Sequence, residues 1–248
     1  MARRLAQVLS LVVVVVVVSA CSGAEAGRAK ELLAEANAAQ AKVVSASYDV
    51  RVVVSAGAQR YAMSMNGGGY FKGRRAGDQF MTMRGEGLPV PMDFVLVSKG
   101  GRAVVRVNGR TQSFPMPATG VGSNASNWTA IVGELTKYVK SVDVRENSII
   151  AGTRGTTVSG VIDTAGLVKA AAGMSVFSQV AGAGSAAFDE MTKNLGDTRV
   201  VLFIAKRTHL IRSAAITLEL KGAAEGAKAE FFYSLRRVNR PVAIPSLY

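Results

Sequence analysis

Cysteine and histidine are nearly absent from this chain of 248 residues, which has one Cys and one His. A single thiol excludes an intrachain disulfide framework and any zinc or iron-sulfur site built from several cysteines. A single His also leaves the chain without the side chains that most metal-assisted hydrolysis and most histidine-based proton transfer require. The sequence therefore predicts no catalytic residues, no metal ligands and no cofactor, and we expect a protein that is not an enzyme.

Acidic side chains are also few, with 17 Asp and Glu against 30 Lys and Arg, so the formal net charge is +13. Apolar residues make up 49% of the chain and aromatic residues 6%, which is a globular composition. The basic residues form small groups without interleaved aromatics, a pattern that argues against nucleic-acid binding. Anionic lipid headgroups are the more natural partner, and a merely solubilising surface is the alternative.

Only one long apolar run occurs, centred on Val12 to Val18 and preceded by Arg3 and Arg4. This arrangement is typical of a secretory signal peptide, and the run is shorter than the roughly 20 residues of a membrane span. An uncleaved amino-terminal anchor is the alternative. The four residues from Val18 to Cys21 resemble the lipobox of bacterial lipoproteins, which implies that the Cys21 thiol receives a diacylglyceryl group.

The predicted organisation is a signal peptide over residues 1–20, a lipidated tether over 21–27 and one domain over 28–248. Such a protein is held on the extracytoplasmic face of the cell membrane by its acyl chains. Helical spacing of apolar residues predicts an amphipathic helix from about Arg28 to Val44. After Ser45 the apolar period changes to two, which indicates strands.

The remaining chain is predicted as a meander of antiparallel strands followed by a crossover and a second set of strands. A glycine run at Asn66 to Gly69 is typical of a hairpin turn. We predict a loop from Thr111 to Ser126, a short helix from Asn127 to Tyr138, and a further helical insertion after the capping pair Asp163-Thr164. The predicted strands lie at about 47–54, 61–65, 69–72, 79–84, 92–98, 102–107, 142–150, 156–162, 198–206, 210–220 and 229–238.

These patterns predict the α+β class, with a curved antiparallel sheet partly covered by helices. Three helical segments are too few to cover a broad apolar face, so the sheet leaves room for an apolar guest. The methionines of the meander suggest an adaptable lining for acyl chains, and their alternative role is ordinary core filling. The candidate ligand-binding residues are Tyr61, Met63, Met65, Met81, Met83, Phe94, Leu96, Leu167, Met174 and Phe177.

Polar residues that could support catalysis show no suitable arrangement. His209 lies between two predicted strands, where a solvated turn residue is expected. Asp163, Asp189 and Asp197 show no paired spacing of the kind that acid/base chemistry uses. The sequence thus offers no competing site.

The lipobox, the amphipathic first helix, the meander, the crossover and the closing strands together resemble the mycobacterial LppX/LprG lipoproteins, whose fold is that of the LolA and LolB lipoprotein carriers. The segments Glu146 to Gly166 and Arg207 to Ile211 are similar to strand pairs of that family. The resemblance implies an unclosed β-barrel that holds lipid acyl chains in an apolar cavity and moves them across the cell envelope. The alternative is a non-enzymatic sensor or scaffold with a filled core that binds an envelope protein or polyanion.

Overall fold

The structure, a computed structural model, describes residues 24–87, 93–115, 139–164, 195–221 and 227–246. Within these ranges the chain forms one helix and eleven strands. They are α1 (Ala24–Gln40), β1 (Ser45–Ala56), β2 (Gln59–Tyr70), β3 (Gln79–Glu86), β4 (Asp93–Lys99), β5 (Arg102–Val107), β6 (Arg110–Pro115), β7 (Val139–Ile150), β8 (Thr153–Ile162), β9 (Leu195–Ala205), β10 (Ile211–Leu220) and β11 (Lys228–Arg236).

Helix α1 forms where apolar residues recur at helical spacing. Ala29, Leu32, Leu33 and Ala36 are buried along one stripe. The helix begins four residues before the predicted start, because Ala26 extends the same stripe and is only 5% exposed. The segment 24–27 therefore belongs to the helix, which corrects the part of the predicted tether that lies within the described residues.

The strands form one antiparallel sheet in the order β6-β5-β4-β3-β2-β1-β11-β10-β9-β8-β7. The first and last strands of the chain meet at its centre, where Tyr48 of β1 is paired with Leu235 of β11. β6 and β7 are the two edges and do not pair with each other, so the sheet is not closed. The predicted α+β class with an unclosed antiparallel sheet is confirmed.

The glycine run in β2 was predicted as a hairpin turn, and this prediction is wrong. β2 continues through it to Tyr70, and the turn follows at residues 71–78. A Cβ added at Gly67 would lie 2.7 Å from the Tyr48 ring, and one added at Gly68 would lie 2.9 Å from Val242. The glycines therefore leave space for the Tyr48 ring on one face of the strand and for Val242 on the other.

Strand β6 was also missed by the sequence analysis, which assigned a loop from Thr111. The strand pairs with β5 through a two-residue connection in which Asn108 and Gly109 have φ of 47° and 82°. Asn and Gly tolerate this left-handed backbone, so the connection is a favourable hairpin turn. β6 has only one neighbouring strand, as expected for a polar segment that ends in Pro115.

Several predictions concern residues outside the described ranges. These are the helix over 127–138, the helical insertion after Thr164, the lipidation site Cys21, and the candidate ligand-binding residues Leu167, Met174 and Phe177. They stay predictions. No helix in the described part of the chain has both the length and the apolar character needed to cross a membrane.

The main core lies between α1 and the strands β8, β9 and β10. Leu202 and Val158 are fully buried there, and they pack with Leu33 of the helix. Tyr233 lies against this core, and its burial raises the pKa of the phenol well above the ordinary value of 10.0. Tyr233 is therefore a neutral, largely apolar component of the core.

Candidate functional site: an apolar surface beside the helix

The register of the strands places a continuous row of apolar side chains on the same side of the sheet as α1, here called the helix face. Val50 is paired with Met65, Met65 with Met83, and Met83 with Phe94. Directly paired residues in antiparallel strands point to the same face. Val50 and Tyr233 are also paired, and Tyr233 packs against the core under α1, which identifies this face as the helix face.

All seven described candidates lie on the helix face. Tyr61, Met63 and Met65 come from β2, Met81 and Met83 from β3, and Phe94 and Leu96 from β4. Met81 is buried at 4% exposure, and the other six are half-buried. The structure thus brings these candidates together on adjacent strands, while their role in binding a ligand stays a prediction.

The same surface extends to residues that the sequence analysis did not select. Val52 and Val54 of β1 are paired with Met63 and Tyr61, and Val105 of β5 is paired with Leu96. Period-two alternation already indicated these residues, but strand pairing was needed to place them beside the methionines. We call the combined set the methionine surface: Val52, Val54, Tyr61, Met63, Met65, Met81, Met83, Phe94, Leu96 and Val105.

The helix covers one half of the sheet and not the half that carries the methionine surface. Among the described residues, both buried clusters draw on α1, β1 and β7 to β11 and the residues around them, and neither includes a residue of β2 to β6. Val200 and Leu202 under the helix are 2% and 0% exposed, whereas Met63, Met65 and Met83 are only half-buried. The methionine surface is therefore incompletely covered by the described residues.

Charge is distributed unequally between the two faces of these strands. The helix-face positions of β1 to β5 carry no charged residue, whereas Asp49, Arg51 and Arg84 occupy the opposite face. Such a surface offers no carboxylate, imidazole or ammonium group to a bound molecule. It offers apolar contact, and the unbranched, polarisable methionines can adapt their shape to different apolar guests.

His209 occupies the turn between β9 and β10, as the sequence predicted. It is exposed, has φ of 55°, and its Nδ1 lies 2.8 Å from Oε2 of Glu35 in α1. No local pattern indicates this partner, because the two residues lie 174 positions apart. Within the described ranges, no group of three or more His, Cys, Asp or Glu residues could hold a metal ion.

The architecture is an open antiparallel sheet. One half of its helix face is covered by α1, and the other half is apolar and incompletely covered by the described residues. This architecture is similar to the crystal structure of LprF from Mycobacterium bovis, with 15% identity, a TM-score of 0.49, and coverage of 91% of this chain and 99% of that chain. It is also similar to the Mycobacterium tuberculosis lipoprotein LppX, with 16% identity, a TM-score of 0.42, and coverage of 87% and 97%.

A LolA superfamily protein from Nitrosomonas europaea is similar at 9% identity and a TM-score of 0.21, with coverage of 86% of this chain and 94% of that chain. LppX belongs to the group that the sequence resembles. No protein-family model and no curated protein matches this sequence.

Proposed function

We propose that this chain is a non-enzymatic lipoprotein of the bacterial cell envelope that binds the acyl chains of lipids and transfers them. It is anchored to the membrane through Cys21 on the extracytoplasmic face, and the acyl chains bind on the methionine surface. The observation that carries the proposal is that this surface is apolar and free of charge and that, apart from Met81, its residues are only half-buried, on a sheet whose other half has a well-filled core.

The affinity for an acyl chain comes from the area removed from water. At about 25 cal/mol per Å² of apolar surface, a few hundred Å² of contact contributes several kcal/mol. The net free energy of transfer from a bilayer to the protein is only part of this value, because the bilayer already shields the acyl chain from water. Binding is then strong enough to hold the lipid and weak enough to release it to an acceptor membrane or protein, as transfer requires.

The anchor fits the position of the helix. Two residues separate Cys21 from the start of α1 at Ala24, so the distance between the two positions is at most about 10 Å. Two or more acyl chains on Cys21 hold a protein on a membrane more firmly than one myristoyl chain does. The sheet would therefore stay close to the bilayer from which it takes lipid.

Native mass spectrometry tests the proposal on the chain from Ser22 onward, which contains every described residue. After incubation with a bacterial lipid extract, we expect a species heavier than the bare chain by the mass of one lipid, because the methionine surface shields acyl chains from water. Tandem dissociation of that species should release a molecule that carries acyl chains.

Recovery of the bare chain alone from the same incubation would contradict the proposal. That result would favour the alternative function, a sensor or scaffold whose core is filled and whose partner is a protein or polyanion. A bound molecule without acyl chains would contradict it equally, since the methionine surface carries no charge and the hydroxyl of its Tyr61 donates to Gln59.

A further inference from the structure

One end of the sheet is strongly basic and the other is not. The turns β2–β3, β4–β5 and β9–β10 and the segment after β11 all lie at the end where β1 begins. Exposed cations in these turns make no ion pair with any described residue, and they are Arg74, Lys99, Arg102, Lys206, Arg207 and Arg240. We call this end of the sheet the basic rim.

The opposite end differs because three of its cations pair with carboxylates. Lys140 lies 2.7 Å from Asp197, Lys228 lies 3.1 Å from Glu230, and Arg199 lies 3.7 Å from Glu219. The pKa of Lys140 is raised, first because it donates a hydrogen bond to Asp197. Among the described residues, unpaired positive charge is therefore concentrated at the basic rim.

Exposed apolar side chains also lie at the basic rim. Phe71, in the β2–β3 turn, is 52% exposed, and Val44, just before β1, is 42% exposed. The two are adjacent, since the Phe71 amide donates to the Val44 carbonyl over 2.7 Å. At the far side of the same rim, Ile149 and Ile150 at the end of β7 are 64% and 42% exposed. Phe71 directly precedes Lys72, so the basic group at Lys72, Arg74 and Arg75 does have an aromatic neighbour, contrary to the expectation from the sequence.

We infer that the basic rim docks on the surface of an anionic phospholipid bilayer. The cations lie at the depth of the headgroup phosphates, and Phe71, Val44, Ile149 and Ile150 enter the region between headgroups and acyl chains. Basic residues near an anionic surface attract it, and exposed apolar tips add area-dependent binding. A polyanion would use the cations but leaves the apolar tips exposed, so the bilayer accounts for both features.

The course of α1 agrees with this orientation. Arg28 in the second turn of α1 lies 3.4 Å from Glu146, four residues before the end of β7 at the basic rim. Later in the helix, Glu35 contacts His209 in the β9–β10 turn, so α1 meets the rim directly at this point. Cys21 lies three residues before Ala24. Docking rests on the proposed function only because it requires a membrane within reach of the protein. The basic rim is the surface that faces this membrane.

The rim is ordered by contacts that hold Phe71 in place. Asp78 accepts a hydrogen bond from the Gly100 amide over 3.0 Å and pairs with Arg75 over 3.1 Å, which joins two neighbouring turns. The Arg75 guanidinium lies 4.1 Å from the centroid of the Tyr70 ring. The Tyr70 hydroxyl also accepts from the Val242 amide over 3.0 Å, so the carboxyl-terminal segment supports the same turn.

Vesicle co-sedimentation of the chain from Ser22 onward tests the inference. We expect binding to vesicles of phosphatidylglycerol and phosphatidylcholine that weakens as salt is raised, and little binding to phosphatidylcholine alone. A triple variant, R74Q, K99Q and R102Q, should bind about 100-fold more weakly. The variant F71S should bind roughly tenfold more weakly, because it removes a half-exposed aromatic side chain from the bilayer.

Matched controls lie at the opposite end of the sheet. The triple variant R60Q, R106Q and R110Q removes the same charge, and V107S removes an apolar side chain that is as exposed as Val44 at 42%. Both should bind vesicles within about threefold of the wild type, because these positions face away from the bilayer. Circular dichroism melting of each variant confirms that it is folded before binding is compared.

Equal losses in the two triple variants would overturn the inference, since binding would then follow net charge and not the rim. Binding to heparin without binding to anionic vesicles would overturn it too and would indicate a polyanion partner. Acyl-lipid capture in native mass spectrometry should be unchanged in the rim variants, so failure of docking and failure of the proposed function give different results.

Discussion

The variant Met83→Glu is expected to lose acyl-lipid binding by at least about 100-fold. Met83 lies at the centre of the methionine surface, paired with Met65 on one side and Phe94 on the other. An acyl chain laid over this position would bury a carboxylate with no partner, which is far more costly than a half-exposed carboxylate in water. The lipid-bound fraction in native mass spectrometry, measured against lipid concentration, gives the loss directly.

The matched control for this variant is Thr82→Glu. Thr82 is the preceding residue of β3, it is half-buried like Met83, and it points to the opposite face. The substitution adds the same charge to the same strand and removes a 2.7 Å hydrogen bond to Asn66. Thr82→Glu should retain lipid binding, and an equal loss in both variants would mean that the methionine surface is not the binding site.

The variant Leu202→Ala is expected to lower the free energy of unfolding by about 2–5 kcal/mol. Leu202 is 0% exposed and packs under α1 with Val158 and Val200, so the removed atoms leave a cavity in the main core. Urea denaturation followed by circular dichroism measures the change.

Val201→Ala provides the comparison for Leu202→Ala, because Val201 is the neighbouring residue of β9 on the opposite face and is 39% exposed. It should cost less than about 1 kcal/mol. Similar losses for both variants would show that the region beneath α1 is not the principal core, and the distinction between a filled and an incompletely covered half of the sheet would fail.

The strands and the helix were largely predictable because their apolar periods are clear. Val50, Val52 and Val54 alternate without interruption, and Ala29, Leu32, Leu33 and Ala36 recur at helical spacing, so β1 and α1 follow from local patterns. The glycine run in β2 was not predictable in this way. Its role depends on Tyr48 and Val242, which approach from other parts of the chain, and a local turn propensity gives the opposite answer.

The residues of the candidate site were predictable from the sequence, but the half of the sheet that α1 leaves uncovered was not. Alternation alone places Tyr61, Met63 and Met65 on one side of a strand, and the structure puts them on the helix face as that pattern requires. Which half of the sheet α1 covers depends on tertiary packing between residues far apart in the sequence, as the contact between Glu35 and His209 illustrates. The basic rim likewise emerges only when turns distant in sequence are brought to the same end.

Photo-crosslinking with a fatty acid that carries a diazirine near its methyl end tests the central claim most directly, because it locates the bound acyl chain. After irradiation and proteolysis, we expect modified residues on the helix face of β2, β3 and β4, at Met63, Met65, Met83 or Phe94. Modification confined to the opposite face of the same strands, at residues such as Thr82 or Arg84, would contradict the account.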